Sequence, residues 1–167
     1  WNYPLMMAIW KIGPALAAGN TSIIKPAELT PRTTLRLAEL SQDILPPGVF
    51  NVVTGHGSEI GDQLVKHPLV RLVSVTGDTA TGKVIASNAG SSNVKRVHLE
   101  LGGKAPVIVF DDANLESLIE TLKFAGYTNT GQDCTASCRV VAGPGIYEDL
   151  LSELVPAVES IKIGDLD

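Results

Sequence analysis

Two cysteines in 167 residues are too few for a disulfide framework. That scarcity fits a reducing compartment, and the cytoplasm is the expected location, with any targeting segment belonging to chain ahead of Trp1. Basic residues are scarce as well: 13 Lys and Arg stand against 18 Asp and Glu, for a formal net charge of -5. The cations are scattered singly, as at Lys11, Lys66 and Lys83, and form no stripe that could neutralise a phosphate backbone. Nucleic acid is therefore not an expected partner. No apolar run approaches the roughly 18 uninterrupted residues of a membrane span, because Pro, Gly and Lys interrupt each one. The chain reads as soluble, with no membrane partner and no metal site. It also lacks internal repeats and low-complexity tracts.

What is present is an ordinary globular composition, 44% hydrophobic and 19% charged, long enough for a sizeable core. The chain begins at Trp1 and stops at Gly164-Asp165-Leu166-Asp167, where another element would be expected to start, so it reads as an internal piece of a longer protein. Short runs rich in Val and Ile predict strands over 21–24, 49–53, 72–76, 97–101, 107–110 and 139–142. Helical spacing covers 30–45, 58–67, 79–89, 115–126 and 147–161, and another helix starts at Tyr3-Pro4. Thr30 is a candidate cap with Pro31 at the first helical position, and Pro46-Pro47-Gly48 closes that helix. Strand and helix alternating in this way imply an α/β fold with right-handed crossovers and a parallel sheet. Gly102-Gly103 marks the domain boundary.

The chemistry is concentrated in two glycine-bordered blocks. Cys134 stands in Gly131-Gln132-Asp133-Cys134, and upstream lies Glu100 in Glu100-Leu101-Gly102-Gly103-Lys104. A thiol nucleophile and a carboxylate base, each beside backbone-permissive glycine, suggest covalent chemistry on a carbonyl. Taken alone, a cysteine is more often a buried inert thiol, and Glu100 a surface carboxylate at a strand end. Cys138 lacks the Gly-Gln prefix and reads as packing.

With Trp1-Asn2-Tyr3-Pro4 and Lys25-Pro26-Ala27-Glu28, these blocks make four in order, and together they resemble the NAD(P)-dependent aldehyde dehydrogenase superfamily. The segments Gly131 to Ala136 and Glu100 to Asp112 look most like the branch acting on 4-aminobutyraldehyde or betaine aldehyde. The resemblance spans nearly the whole chain. It implies a Rossmann-like parallel sheet, with residues 1–102 forming the C-terminal part of an NAD-binding domain and 103–167 the N-terminal part of a catalytic domain. The implied activity is NAD-dependent oxidation of an omega-aminoaldehyde, by a full-length parent expected to be a homo-oligomer. The piece alone is expected to be inactive.

By the same resemblance, the Cys134 thiolate adds to the aldehyde, and after hydride transfer the thioester is hydrolysed with Glu100 as base. Asn2, whose plain reading is a helix cap, would join the Cys134 backbone N–H in an oxyanion hole. Trp1 and the run Lys25, Pro26, Ala27 and Glu28 belong to the cofactor site, with Lys25 and Glu28 on the adenosine ribose; Glu28 favours NAD over NADP. Gly55-His56-Gly57-Ser58-Glu59-Ile60-Gly61 has one residue more between its second and third glycines than the common dinucleotide fingerprint, a spacing this family shows. Gly77, Asp78, Thr79, Ala80 and Thr81 would offer helix N-terminal N–H groups to the pyrophosphate, and Leu101 and Gly102 complete the cofactor residues. Relatives carry Ser where Asp78 stands; a carboxylate there repels phosphate unless it turns back to cap the helix. Tyr3, Met7 and Trp10 share helical spacing, a pattern that usually means core packing, and by resemblance face the aldehyde, with Asp133 attracting an ammonium. Competing readings are betaine aldehyde or another semialdehyde as substrate, an acylating variant that passes the thioester to coenzyme A, and a non-catalytic dinucleotide-binding relative. Glu100 argues against the acylating variant, and intact Cys134, Glu100 and Asn2 argue against the non-catalytic one.

Overall fold

A computed structural model describes residues 1–164, which form two compact units, Trp1–Gly102 and a second beginning at Gly103. The first unit runs α1 (Pro4–Ala17), β1 (Ser22–Ile24), α2 (Arg32–Ser41), β2 (Phe50–Val52), a π-turn (Gly57–Gly61) leading into α3 (Asp62–Lys66), β3 (Leu72–Gly77), α4 (Thr79–Ser92) and β4 (Arg96–Leu101). β1 pairs with β2 and β3 with β4, both parallel, with α2 and α4 as the helices of the two crossovers. The strands are all parallel as predicted, but they form two-stranded ladders rather than one continuous sheet among the described residues. Apolar runs reveal strands; they do not reveal which strands hydrogen-bond to each other.

α1 starts with Pro4 at its first position, where the missing N–H costs nothing, and it buries Met7, Ala8 and Ile12. α2 differs from expectation at both ends. Its N-cap is Pro31, with no side-chain capping bond, and the Thr30 hydroxyl is buried with no hydrogen-bond partner among the described residues. It stops at Ser41, ahead of Pro46-Pro47-Gly48, because the N–H groups of Ile44 and Leu45 both turn back to the Ser41 carbonyl. α3 is short, and its C-terminal carbonyls are satisfied by Lys95. This lysine is only 7% exposed, and its ammonium donates to the carbonyl of Val65 and, at 2.8 Å, to that of His67. Burial pushes the Lys95 pKa down, and the nearby Arg71 charge adds to that shift.

The second unit runs β5 (Ala105–Val109), α5 (Leu115–Tyr127), a 3-10 turn (Thr128–Gly131), β6 (Ser137–Ala142) and α6 (Tyr147–Glu159). Asn114 caps α5 by accepting from the Ser117 N–H at 2.9 Å. Ile119 and Leu122 of α5 meet Leu150 of α6 over Val107 and Val140 of the β5–β6 pair. Each of the three buried side chains contributes roughly 1.5–3 kcal/mol by leaving water. This core fixes where α5 ends and β6 begins, and so anchors both ends of the segment that carries Cys134. Residues 165–167 lie outside the described part.

Candidate active site

On one edge of the first unit, the loops after β1 and β2 are tied together by Lys25. Its ammonium donates to the Pro26 carbonyl at 2.8 Å, to Glu28 Oε1 at 3.1 Å and to the Gly55 carbonyl at 3.2 Å. Glu28 Oε1 also accepts from the Gly57 N–H at 2.8 Å. The Glu28 pKa falls to about 2, chiefly because the residue's own backbone N–H bonds to the carboxylate, then because of Lys25 and the Gly57 N–H. Pro26, Ala27 and Glu28 face Thr54, Gly55 and His56 across an open cavity of about 250 Å³. Gly55 has φ 149°, and an added Cβ there would lie 2.6 Å from Ile60 Cγ1, so only glycine fits. The extra residue in the fingerprint is taken up by the π-turn, where the Asp62 N–H reaches the Gly57 carbonyl five residues back. The helix predicted over 58–67 is therefore this π-turn followed by the five-residue α3, with Gly61 where they meet. The predicted residues Lys25, Pro26, Ala27, Glu28, Gly55 and Gly61 thus form one local cluster.

At the N-terminus of α4 the capping alternative holds. Asp78 is the N-cap: Oδ1 accepts from the Thr81 N–H at 2.9 Å and Oδ2 from the Thr81 hydroxyl at 2.6 Å, and these bonds lower its pKa. The Gly82 N–H bonds to the Asp78 carbonyl at 2.9 Å. The carboxylate thus occupies part of the anion-binding end that Gly77, Thr79, Ala80 and Thr81 were expected to offer. Leu101 packs beneath the same helix, where an added Cβ on Gly82 would come within 2.7 Å of Leu101 Cδ1.

Glu100 lies near the end of β4, directly opposite Thr76 of β3. Two residues back, Ser74 and His98 are also opposite each other, with Ser74 Oγ 3.0 Å from His98 Nδ1, so both strands present polar groups on one face. Lys11 comes down from α1 onto this face and donates to Thr76 Oγ1 at 2.8 Å, while the Thr76 hydroxyl contacts Met7 Sδ at 3.6 Å. Burial lowers the Lys11 pKa, and the Glu100 charge partly restores it. In sequence Lys11 is one of the singly scattered cations; its place four residues after the buried Met7, on a helix this apolar, was the available signal for more. Met7 is 9% exposed whereas Trp10 is 62% exposed, so the Tyr3, Met7 and Trp10 stripe is split between core and surface. The N-cap of α1 is Tyr3, which corrects the plain reading of Asn2 as the cap; Asn2 lies one residue outside the helix, next to the exposed Trp1.

Cys134 belongs to the second unit. It is half-buried, between the 3-10 turn and β6, while Cys138 is exposed within β6 itself. Asp133 Oδ1 accepts from both the N–H and the hydroxyl of Thr135, each at 2.7 Å, and the Ala136 N–H bonds to the Asp133 carbonyl at 3.3 Å. The Asp133 carboxylate therefore shapes the Cys134 loop from within. Among the described residues no group of three or more His, Cys, Asp or Glu is arranged to hold a metal, and no helix is long and apolar enough to cross a membrane.

The phenylacetaldehyde dehydrogenase of Pseudomonas fluorescens is 52% identical to this chain over 165 residues, covering 98% of the chain and 33% of that protein. An aldehyde dehydrogenase of Agaricus bisporus is 45% identical over 166 residues, covering 99% and 33%. Among solved structures, PnpE from Pseudomonas sp. WBC-3 superimposes with a TM-score of 0.91 and PnpE in complex with nicotinamide adenine dinucleotide with a TM-score of 0.90, each at 46% identity over 99% of this chain and 34% of that one. Gamma-glutamyl-gamma-aminobutyraldehyde dehydrogenase from Burkholderia cenocepacia J2315 does so with a TM-score of 0.87 at 45% identity, over 94% and 32%. The chain thus spans about a third of the length of its relatives. The aldehyde dehydrogenase family model matches residues 1–167, and the chain belongs to the aldehyde dehydrogenase family.

Proposed function

We propose that the full-length protein oxidises an aldehyde to the carboxylic acid with NAD, using Cys134 as nucleophile. The carrying observation is the setting of this thiol: Cys134 stands half-exposed in an internally tied loop directly after Gly131-Gln132-Asp133, outside the apolar cluster of Ile119, Leu122 and Leu150. Its thiolate forms the C–S bond to the carbonyl carbon, and Asn2 with the Cys134 N–H stabilises the oxyanion. The chemistry that NAD would supply when bound is acceptance of the hydride from that carbon. Glu100 then takes the proton of the water that hydrolyses the thioester, and Cys134 leaves as thiolate. The cluster of Lys25, Pro26, Ala27, Glu28, Gly55 and Gly61 suits the adenosine half of the cofactor: Glu28 and Lys25 can bond ribose hydroxyls beside an open cavity. A carboxylate so strongly held in its charged form opposes a 2'-phosphate, which favours NAD over NADP. The two-cysteine composition supports a cytoplasmic setting, and the family resemblance supports a homo-oligomer.

For the substrate we propose an omega-aminoaldehyde, supported by Asp133 beside the nucleophile and by the likeness to an enzyme whose name specifies an aminobutyraldehyde. An uncharged arylacetaldehyde is the second reading, favoured by the commitment of Asp133 Oδ1 to Thr135 and by the name of the 52% identical relative. Comparing kcat/KM for 4-aminobutyraldehyde and phenylacetaldehyde separates them. A charge pair several ångströms apart is worth about 2 kcal/mol at an effective dielectric near 20, before screening. Asp133→Asn should therefore cut the preference for the aminoaldehyde roughly tenfold. A ratio that does not move, or a wild-type preference for phenylacetaldehyde, favours the arylacetaldehyde reading.

A further inference from the structure

We propose that the left-handed turn Asn129-Thr130-Gly131 is a device that positions the Cys134 thiol, with Thr130 as its positioning residue; this rests on the reading of Cys134 as nucleophile. Three successive residues have positive φ: 54° at Asn129, 57° at Thr130 and 73° at Gly131. Glycine and asparagine tolerate that region, whereas a β-branched threonine is a true outlier there. Such a conformation persists only where the surroundings over-determine it, and outliers of this kind gather at functional sites.

Here the surroundings are explicit. The Gln132 N–H and the Asn129 side-chain amide close the turn, on the carbonyls of Asn129 and Gln132 respectively, both at 3.1 Å. The Gln132 side-chain amide donates to Thr130 Oγ1 at 2.8 Å, and the Thr130 hydroxyl donates to the Asn129 carbonyl at 2.6 Å. The turn is also needed for closure. The excursion from α5 returns to its starting point, since an added Cβ on Gly126 would lie 3.6 Å from the Ser137 carbonyl oxygen, and one on Gly131 would lie 3.4 Å from that of Gly126. The chain must reverse inside this span, and the left-handed residues make the reversal. Immediately downstream, Asp133 is bound to Thr135 and Ala136. Cys134 therefore sits inside the second of two successive tied turns, with little slack to alter its presentation. Val94 is the other non-glycine residue with positive φ among those described, and it stands singly.

A glycine at 130 accepts positive φ without strain but samples right-handed backbone just as readily, which loosens the turn; an asparagine accepts positive φ more readily than threonine does and keeps it. The test uses the full-length enzyme, with iodoacetamide as probe and peptide mass spectrometry to follow Cys134 and Cys138 separately across pH. In the wild type, Cys134 should label faster than Cys138. Thr130→Gly should slow Cys134 labelling roughly tenfold at every pH, with Cys138 unchanged, since near-attack presentation depends on loop geometry. Thr130→Asn should label at the wild-type rate with an equal or higher Tm. Unchanged Cys134 kinetics in Thr130→Gly would overturn the proposal, as would equal slowing in both variants, which would assign the effect to the lost hydroxyl. Should Thr130→Gly not fold, a lowered Tm or slowed Cys134 labelling in Thr130→Asn would overturn it by itself. A wild type whose Cys134 is no faster than Cys138 would instead remove the nucleophile reading on which the proposal stands.

Discussion

Glu28 shows how little of a residue's role is visible in its name. In sequence it is a charge after a strand; in the fold it is a carboxylate held by Lys25, the Gly57 N–H and its own backbone, with a pKa of about 2 against an ordinary 4.5. Because the unfolded chain binds that proton more readily, the stability Glu28 contributes is complete above about pH 4.5 and is lost as pH falls through about 2. With a side chain 42% exposed, solvent screening keeps the effect below about 1 kcal/mol. The Tm deficit of Glu28→Gln relative to wild type should therefore be largest near neutral pH and should vanish close to pH 2. A deficit that does not change with pH would mean that the ion cluster contributes nothing to stability. Lys11 makes the complementary point: its spacing from the buried Met7 marks it on α1, but its landing on the Thr76 and Glu100 strand pair depends on how that helix packs, which no local pattern announces.

At the scale of elements, the strands were legible because each is a short Val- and Ile-rich run, and β3 spans Leu72–Gly77 against a predicted 72–76. Helix ends were less so. α2 ends early through backbone bonds to the Ser41 carbonyl, and the extra residue before Gly61 becomes a π-turn, because both outcomes depend on hydrogen-bond bookkeeping rather than on apolar spacing. The N-terminus of α4 was foreseen only as a conditional, and the structure takes the capping branch at Asp78. Capping turns the carboxylate onto Thr81 but leaves its charge at the helix end, so a cofactor pyrophosphate lying there would still be opposed, against the expectation that capping removes the conflict. Asp78→Ser keeps a capping oxygen and removes the charge, so NAD should bind the full-length variant roughly three- to tenfold tighter, with Tm changed by no more than the modest difference between two good caps. Titration calorimetry giving an unchanged or weaker Kd would place the pyrophosphate elsewhere.

At the scale of the whole molecule, the two units carry different parts of the proposed chemistry: Glu100, Asn2 and the Lys25–Glu28 cluster lie in the first, and the Cys134 loop in the second. The motifs made it readable which stretch carries which residues, since each block is local in sequence. The left-handed turn before Cys134 was not readable, because nothing in Asn129-Thr130-Gly131 requires a threonine to adopt positive φ. Since the chain spans about a third of its relatives' length, covalent catalysis through Cys134 with Glu100 as deacylation base is proposed for the full-length enzyme. Its most direct test is rapid quench of Glu100→Gln with NAD and aldehyde, followed by peptide mass spectrometry. A first-turnover burst of NADH above a slow steady state is expected, with the acyl group as a thioester on the Cys134 peptide. An acyl group on Cys138, or a steady state as fast as wild type with no acylated Cys134, would contradict it.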